Sequence, residues 1–316
     1  MYDGGVGRLA LLVVMVGCYS PSVAPGGLCG TDGACPAGLM CFDGRCLPEP
    51  PDSGPTPVDG AVDARRIDAP ISDAPIDAPP ALGAWGTPVA VMGVDQSGSE
   101  SDPTFTPNRL TIVFARNSDL FMGVRASTND AFTVTALTIL NSSAEERGPE
   151  ISPDGMTLYF ASDRHLVDDH EVFVSTWSGV AWSAPVLEPT LSIAGGVGDF
   201  AFTPNMLAVL IERNDVFYRS TRATTTSAWS TPAPVTTPFG ALSNPAGTSL
   251  DADADLYFHA GSNRDLYVAR WNGTAYGAPS PITELNSSLR EAAPSVSADE
   301  RYMMFERNGE IVETSR

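Results

Sequence analysis

The sequence repeats itself over residues 85–316, and this repeat constrains the fold more than any other feature. Each unit runs from a polar turn into an apolar strand, then through a short acidic-apolar-aromatic strand to an aromatic residue that is followed by proline. The anchor residues of the apolar strands lie 46, 51, 47 and 47 positions apart, at Phe114, Phe160, Ile211, Phe258 and Phe305. A period of about 45 residues with about four short strands is typical of a β-propeller, whose sheets stack around an axis because one sheet alone cannot bury both faces.

The ends of the repeat set the number of blades. Five units supply the first three strands, but the aromatic-to-proline strand follows only four of them, because the sequence stops at Arg316. Residues 85–88 carry the same pattern as residues 182–185, and they precede the first unit. We therefore predict an all-β, five-bladed propeller over residues 83–316, in which this N-terminal strand closes the last blade. A sixth, degenerate blade is the alternative, although no unassigned segment has the length to form one.

The residues before the propeller begin with an export signal and end with a linker. Residues 9–16 are apolar but far shorter than the ~20 residues that cross a membrane, so residues 1–17 are predicted to be a signal peptide. They end in Met15-Val16-Gly17-Cys18, which resembles a bacterial lipobox and makes Cys18 the expected lipidation site. An ordinary signal peptide with a chance cysteine is the alternative. Residues 47–82 repeat Asp-Ala-Pro without any aromatic residue, which predicts a disordered linker.

The chain has five cysteines, and an odd number in an exported protein needs an explanation. If Cys18 carries the lipid, an even set remains within residues 18–46, namely Cys29, Cys35, Cys41 and Cys46. The Gly, Pro and Asp residues around them provide too little apolar area for a core, so we predict a small knot with two disulfides. All three pairings stay open. Zinc is the alternative, but intervals of five, five and four residues lack the close cysteine pair of a zinc knuckle.

The charge of the chain argues against one class of partner. The sequence has 38 acidic and 18 basic side chains, with a formal net charge of −20, and every basic residue is an arginine. A phosphate backbone repels such a chain, so we expect no nucleic-acid partner. The hydrophobic content of 43% is that of a globular protein, which excludes disorder throughout the chain.

The second unit contains the sequence SPDGMTLYF at residues 152–160, and this motif resembles a known repeat. It is similar to the Pro-Asp-type WD-like repeat of the TolB family and of many other exported bacterial proteins. The resemblance covers residues 85–316 and is strongest in this unit, whereas the third unit has Asn205-Met206 in place of Asp-Gly. The resemblance implies a propeller and a location in the cell envelope, but no single activity.

The turns on one face of the predicted propeller carry a second repeat, which consists of charged residues. A glutamate three positions before a proline recurs in three units, and an arginine recurs in the opposing turn of all five. The candidate binding face comprises Glu100, Asp102, Glu146, Asp199 and Glu291 with Arg116, Arg164, Arg213, Arg264 and Arg307. Because these residues recur with the period of the fold, we favour pairing that fixes neighbouring blades over ligand binding. A binding site more often breaks the repeat.

One further segment has the spacing of a metal site. Asp251, Asp253 and Asp255 are placed as at the start of a calcium loop, but the glycine and the distal glutamate of such a loop are missing. An ordinary turn is the favoured interpretation, so we predict neither a metal nor another cofactor. We also assign no catalytic residue, since the sequence shows no Ser-His-Asp order, phosphate loop or nucleophile elbow.

These features together predict a non-enzymatic lipoprotein, held at the bacterial outer membrane by its lipid alone and facing the periplasm or the cell surface. Its propeller is expected to be a monomeric binding platform for an envelope protein or glycan. One alternative is a glycan-active enzyme, because some five-bladed propellers are glycosidases with carboxylates at the channel mouth. The other is a structural display protein without a specific ligand. A carboxyl group with a raised pKa beside an open central pocket would favour the enzyme.

Overall fold

The computed structural model describes residues 39–42, 45–48, 82–95, 98–166, 169–235, 239 and 242–316. The predicted signal peptide, the lipidation site Cys18, the cysteines Cys29 and Cys35, and linker residues 49–81 lie outside the described residues. All regular secondary structure in the described part is β-strand. The same part of the chain contains no helix with the length and hydrophobicity to cross a membrane.

A small hairpin precedes the propeller. Its strands are β1 (Leu39–Phe42) and β2 (Arg45–Pro48), which pair in antiparallel fashion with Cys41 opposite Cys46. The hairpin and the propeller belong to two separate compact units, which divide between Ala74 and Pro75. The disulfide pairing of the predicted knot stays a prediction.

The remaining strands form five antiparallel sheets of four strands each, which confirms the predicted all-β, five-bladed propeller. The first sheet contains β4 (Glu100–Phe105), β5 (Thr111–Arg116), β6 (Asp119–Val124) and β7 (Thr133–Ala136). The second contains β8 (Glu146–Ile151), β9 (Thr157–Ser162), β10 (Glu171–Thr176) and β11 (Val186–Leu187). The third contains β12 (Asp199–Phe202), β13 (Ala208–Arg213), β14 (Val216–Thr221) and β15 (Ala233–Pro234). The fourth contains β16 (Ala246–Leu250), β17 (Leu256–Ala260), β18 (Asp265–Ala269) and β19 (Ser280–Pro281).

The fifth sheet combines strands from both ends of the propeller. It has the order β20-β21-β22-β3, with β20 (Glu291–Val296), β21 (Tyr302–Arg307), β22 (Glu310–Ser315) and β3 (Val89–Ala90). Ala90 pairs with Val312 and Val89 pairs with Glu313. The Gly86 N–H also donates to the Ser315 carbonyl at 2.9 Å, so the segment before β3 follows the same edge.

The outer strands begin later than the sequence predicts. The aromatic-to-proline segments were expected to be strands, but β3, β11, β15 and β19 each start directly after the proline. Proline has no N–H to donate to a ladder, which delays the strand. The aromatic residues instead turn inward, and Trp85, Trp182, Trp229 and Tyr276 are at most 8% exposed. The motif therefore marks a buried anchor followed by a short edge strand.

The core lies between neighbouring sheets. The five repeating anchors Phe114, Phe160, Ile211, Phe258 and Phe305 are all 0% exposed. Val113 and Leu120 of the first blade pack against Leu158 of the second, and Ile112 of the first packs against Met304 of the fifth. The apolar contacts thus continue around the ring, as expected if no sheet can bury both faces alone.

The innermost strands place their backbone along a central channel. Four of them, β4, β8, β16 and β20, have a register irregularity at a residue with positive φ: Asp102 (50°), Gly148 (52°), Gly247 (64°) and Ala293 (46°). Strand β12 of the third blade pairs in regular register instead. The first residue of β12, Asp199, therefore lies in a regular pair, whereas the corresponding segment of the other four blades contains the irregularity. A Cβ atom at Gly148 would lie 3.1 Å from the Asp199 carboxyl oxygen, so this side chain reaches the neighbouring blade.

Candidate functional site

The three repeating glutamates are buried in ion pairs. Glu100 lies 2.8 Å from Arg116, Glu146 lies 3.0 Å from Arg164 and Glu291 lies 3.2 Å from Arg307, measured between a carboxylate oxygen and a guanidinium nitrogen. All three glutamates are 0% exposed. They are therefore closed to a ligand, although the sequence places them on the candidate binding face.

The two residues of each ion pair belong to the same blade. A loop connects the pair to the neighbouring blade. In the best-developed case, Arg164 donates to Glu146 and to the Leu140 carbonyl at 2.6 Å, and Ser142 donates its hydroxyl to Glu146 at 2.6 Å. Asn141 of the same loop bonds the backbone of Leu120 in the preceding blade, accepting its N–H at 2.8 Å. The sequence interpretation had the charged pairs themselves bridging blades. The structure assigns that task to the connecting loop, which the ion pair holds in place.

Among the described residues, the other two arginines of the predicted ring, Arg213 and Arg264, have no such partner. Gly198 takes the position of the glutamate in the third blade, and the buried Nε of Arg213 has no hydrogen-bond partner among the described residues. Arg264, at a turn with φ of 56°, lines the cavity at the end of the channel. Asp102 and Asp199 line the same cavity. Six of the ten residues of the predicted face thus form three buried pairs, Asp102, Asp199 and Arg264 line the cavity, and Arg213 belongs to neither set.

This cavity measures about 350 Å³ and is lined by charged residues that break the repeat. One position of the second strand lies opposite Ser101, Arg147, Asp199, Ala246 and Ala292 of the inner strands, and in four of the five blades its residue lines the cavity. The first two blades have alanine there, whereas the last three have Glu212, His259 and Glu306. We define the polar mouth as Asp102, Arg147, Asp199, Glu212, His259, Arg264, Arg290 and Glu306.

The polar mouth combines carboxylates, guanidinium groups and one neutral imidazole. Glu306 accepts a bond from Arg290 at 3.2 Å, and the Nδ1 atom of His259 accepts the Ala293 N–H at 3.2 Å. Burial, together with the charges of Arg264 and Arg290, lowers the pKa of His259 to about 3. The ring is therefore neutral, and its proton lies on Nε2 because Nδ1 is an acceptor. Gly247 makes room for it, since a Cβ atom there would lie 2.3 Å from Nδ1.

Three carboxyl groups, those of Asp102, Glu150 and Asp199, line the narrow middle of the channel, and Asp102 and Asp199 also border the polar mouth. Asp199 accepts the N–H groups of Phe200 at 2.8 Å and of Thr248, in the next blade, at 2.5 Å. Burial and the neighbouring Asp102 raise the pKa of Asp199 to about 8. Burial and the charge of Asp199 also raise the pKa of Glu150 well above its ordinary range, and burial raises that of Asp102. The Asp199 carboxyl group therefore holds its proton at neutral pH.

The opposite end of the channel has a different chemistry. A second cavity of about 350 Å³ opens there, with Glu150 at its inner side. Each blade contributes the last residue of its innermost strand to this cavity, and all five are apolar: Phe105, Ile151, Phe202, Leu250 and Val296. Because these five apolar residues recur in every blade, we interpret them as part of the packing between blades.

The segment with calcium-loop spacing forms a cluster of a different composition. Asp251 and Asp255 are buried, and Glu300 of the fifth blade joins them, whereas Asp253 is exposed. Burial and the nearby Glu300 raise the pKa of Asp251 to about 8. Although burial opposes it, hydrogen bonding from Arg270 lowers the pKa of Glu300 to about 2. We call Asp251, Asp255 and Glu300 the acid cluster.

Two sets of residues escaped the sequence reasoning. One is a second arginine repeat directly after the third strand, where Arg125, Arg222 and Arg316 stack at 4.3, 4.1 and 4.3 Å on Phe132, Trp229 and Trp85. Its constant position after the aromatic strand was the available signal. The other set is Glu212 and Glu306, which stand where the first two blades have alanine. A search for positions at which the units differ, rather than agree, would have identified Glu212 and Glu306.

Comparison with known proteins gives similarities in structure only. No protein-family model and no curated protein sequence matches this chain. A TolB structure from Agrobacterium tumefaciens shares 12% identity with a TM-score of 0.47, over 71% of this chain and 78% of that one. TolB from Acinetobacter baumannii shares 15% identity with a TM-score of 0.43, over 69% and 55%. A gluconolactonase from Xanthomonas campestris shares 12% identity with a TM-score of 0.44, over 76% and 98%.

Proposed function

We propose that this chain is an envelope lipoprotein whose propeller is a non-enzymatic binding platform for an envelope protein or glycan, with the ligand held at the polar mouth. The observation that carries this proposal is the cavity of about 350 Å³ lined by Glu212, His259 and Glu306, which depart from the repeat. The volume lies at the lower end of the range of ligand pockets, about 300–1,000 Å³. Residues that the fold needs recur in every blade, so departures at one open cavity favour a role in binding.

The chemistry of the polar mouth suits a ligand that carries both donors and acceptors. Arg147 donates to the Val197 carbonyl at 3.1 Å, but its buried Nε has no hydrogen-bond partner among the described residues. A buried unpaired donor costs about 1–3 kcal/mol, so an acceptor from a ligand would recover that energy. Asp199, Glu212 and the Nε2–H group of His259 provide complementary partners at the same cavity. Sugars and peptide segments both present this mixture of groups.

The binding proposal is tested by photo-crosslinking in intact cells. A crosslinking residue at Glu145, which lines the cavity, is expected to capture the ligand, whereas one at Val180, which is 85% exposed on the second blade, is expected to capture nothing specific. Arg264→Gln, introduced together with the Glu145 probe, is expected to reduce the crosslink about tenfold, because a charged hydrogen bond contributes about 1.5–3 kcal/mol. Sensitivity of the product to a protease or to a glycan hydrolase tells the two ligand classes apart.

Two outcomes would contradict the binding proposal. Equal labelling from both probe positions would favour a display protein without a specific ligand. The raised pKa of Asp199 beside an open cavity favours a second candidate, a glycan-active enzyme in which this carboxyl group acts as general acid. If glycan captured at the mouth gains new reducing ends during incubation, and Asp199→Asn stops their formation, the enzyme replaces the platform.

The lipid anchor is a separate part of the proposal. It is supported by the lipobox-like sequence before Cys18 and by the even number of cysteines that remains without it. We expect the mature chain from a bacterial host to begin at Cys18, to carry a diacylglyceryl group and to fractionate with the outer membrane. Mass spectrometry of the N-terminal peptide measures this. A mature N-terminus without the added lipid mass would remove the anchor while leaving the binding proposal intact.

A further inference from the structure

We propose that the acid cluster of Asp251, Asp255 and Glu300 is a calcium-binding site that joins the fourth and fifth blades, and that Arg270 competes with the ion for it. This site is separate from the polar mouth and does not depend on the proposed binding function. One oxygen from each of the three carboxylates can be chosen so that all lie within 4.8 Å of one another. Clustered carboxylate oxygens are the ligands that calcium prefers.

Asp251 of the acid cluster departs from the repeat. In the other blades, Thr106, Ser152, Thr203 and Ser297 occupy the position of Asp251. There a hydroxyl oxygen accepts a backbone N–H of the turn, as Ser152 does from Thr157 at 2.8 Å. In the fourth blade Asp251 Oδ1 performs this task, accepting the N–H groups of Asp253 and Asp255 at 2.9 Å each. The turn therefore needs only one of the two carboxylate oxygens.

The second oxygen of Asp251 is the observation that points to a ligand. Asp251 is 1% exposed, and its Oδ2 atom has no hydrogen-bond partner among the described residues. The nearest cationic atom is Arg270 Nη1 at 4.0 Å, which is too far for a hydrogen bond. Asp251 and Glu300 are close enough to share a hydrogen bond if one of them carries a proton. When both are ionised no donor lies between them, and a cation between the three carboxylates would satisfy Asp251 Oδ2 in place of that proton.

Arg270 satisfies two of the three carboxylates but not the third. Its Nη1 atom lies 2.6 Å from Asp255 Oδ2 and 2.5 Å from Glu300 Oε1. A planar guanidinium group directs its bonds along a fixed fork, whereas a spherical ion accepts ligands from all sides. The Arg270 side chain is 54% exposed, so it can swing into solvent when an ion enters. Arg316 also bonds Glu300 and would remain there.

Arg270 also differs from its counterparts in the repeat. Arg125, Arg222 and Arg316 each donate Nε to a carbonyl of the preceding turn, at 2.8, 2.7 and 2.7 Å. In the fourth blade the equivalent carbonyl, of Ala254, accepts the Tyr276 hydroxyl at 3.2 Å instead. Arg270 is thus the one of these four that is not used to hold its turn, which leaves it free to exchange with an ion.

Terbium luminescence tests the site on the full chain, because Trp271 lies beside the cluster and donates its backbone N–H to Asp255 Oδ1 at 2.5 Å. We expect calcium to compete for one terbium site and to raise the melting temperature relative to EDTA. Arg270→Gln is expected to bind calcium about tenfold more tightly, since removing one charged competitor changes affinity by about that factor. Asp255→Asn is expected to lose the site, whereas Asp199→Asn in the channel is expected to retain it.

Three results would overturn the proposal. The first is that neither the parent chain nor Arg270→Gln binds calcium. The second is that calcium binds with the same affinity after Asp255→Asn, which would place the ion elsewhere, for example on the Asp-rich linker. The third is that Arg270→Gln weakens calcium binding while the chain stays folded by circular dichroism, since competition requires the opposite sign. Arg270→Gln is expected to gain calcium affinity, which a folding defect would not produce. The test therefore remains decisive even if Asp255→Asn fails to fold.

Discussion

Replacing Glu146 by alanine is expected to lower the free energy of unfolding by about 3–5 kcal/mol, because breaking a buried ion pair leaves the partner charge uncompensated. Glu146 is 0% exposed, and its carboxylate accepts bonds from Ser142, Ser162 and Arg164. The loss also releases the loop that joins the first two blades, since the same Arg164 holds the Leu140 carbonyl. Urea unfolding followed by tryptophan fluorescence measures the change.

A matched control separates burial from charge in this experiment. Glu310→Ala removes an exposed glutamate that forms no ion pair with any other described residue, so its effect is expected to stay within about 0.5 kcal/mol. The double variant Glu146→Ala with Arg164→Ala is expected to be less damaging than the sum of the single variants, because the orphaned charge is gone. A loss below about 1 kcal/mol for Glu146→Ala would show that the pair contributes little, and that the loop is held in another way.

The second large effect is a loss of stability as the pH rises through the range of Asp199. A carboxyl group whose pKa is about 8 when folded and 3.8 in its ordinary state binds its proton more tightly in the folded chain. Its contribution to stability is complete below pH 3.8 and is lost as the pH rises towards 8. Between pH 6.5 and pH 8 this single group lowers the free energy of unfolding by about 2 kcal/mol, since each pH unit corresponds to 1.36 kcal/mol at most.

The measurement compares urea midpoints at pH 6.5 and pH 8 for the parent chain and for Asp199→Asn. The contribution of His259 to stability is complete above its ordinary pKa of 6.5 and is lost as the pH falls towards 3. In this window it changes the free energy of unfolding by only about 0.4 kcal/mol, in the opposite direction and equally in both chains. Asp251, Asp102 and Glu150 titrate in the same direction as Asp199, so some slope remains in the variant. Asp253→Asn, at an exposed position, is expected to keep the full slope. An unchanged slope in Asp199→Asn would mean that its carboxyl group is already ionised at neutral pH.

The repeat was sufficient to predict the architecture, since the spacing of anchors such as Phe160 and Phe258 reports directly which residues each blade must bury. It was less informative about the edges of the blades. The aromatic and proline residues of segments such as residues 182–185 recur visibly, but the strand that follows them is two residues long and has no pattern of its own. Short edge strands form because a sheet is already present, so their position depends on tertiary structure.

The sequence identified several residues of the candidate site, but it did not show which of them line the cavity. Asp102, Asp199 and Arg264 do line the channel cavity, whereas the three recurring glutamates are 0% exposed in their ion pairs, and of these Glu146 alone borders the cavity. Asp102 lies at the register irregularity of β4, whereas Asp199 lies in β12, which pairs without one, and Arg264 lies in a turn. The pattern of charges along the chain does not record where such an irregularity falls. Nor does it show that Glu300, almost fifty positions away, completes the cluster around Asp251.

The pairing of β3 with β22 has a kinetic consequence. The other four sheets are each assembled from consecutive strands of one repeat, so their loops close over short separations in sequence. Val312 pairs with Ala90, which is 222 positions away. Contacts between residues so far apart in the sequence are slow to form. We therefore expect closure of the ring to be the last and slowest event in folding. Until then β22 presents an open edge, and during that interval the nascent chain is most exposed to aggregation.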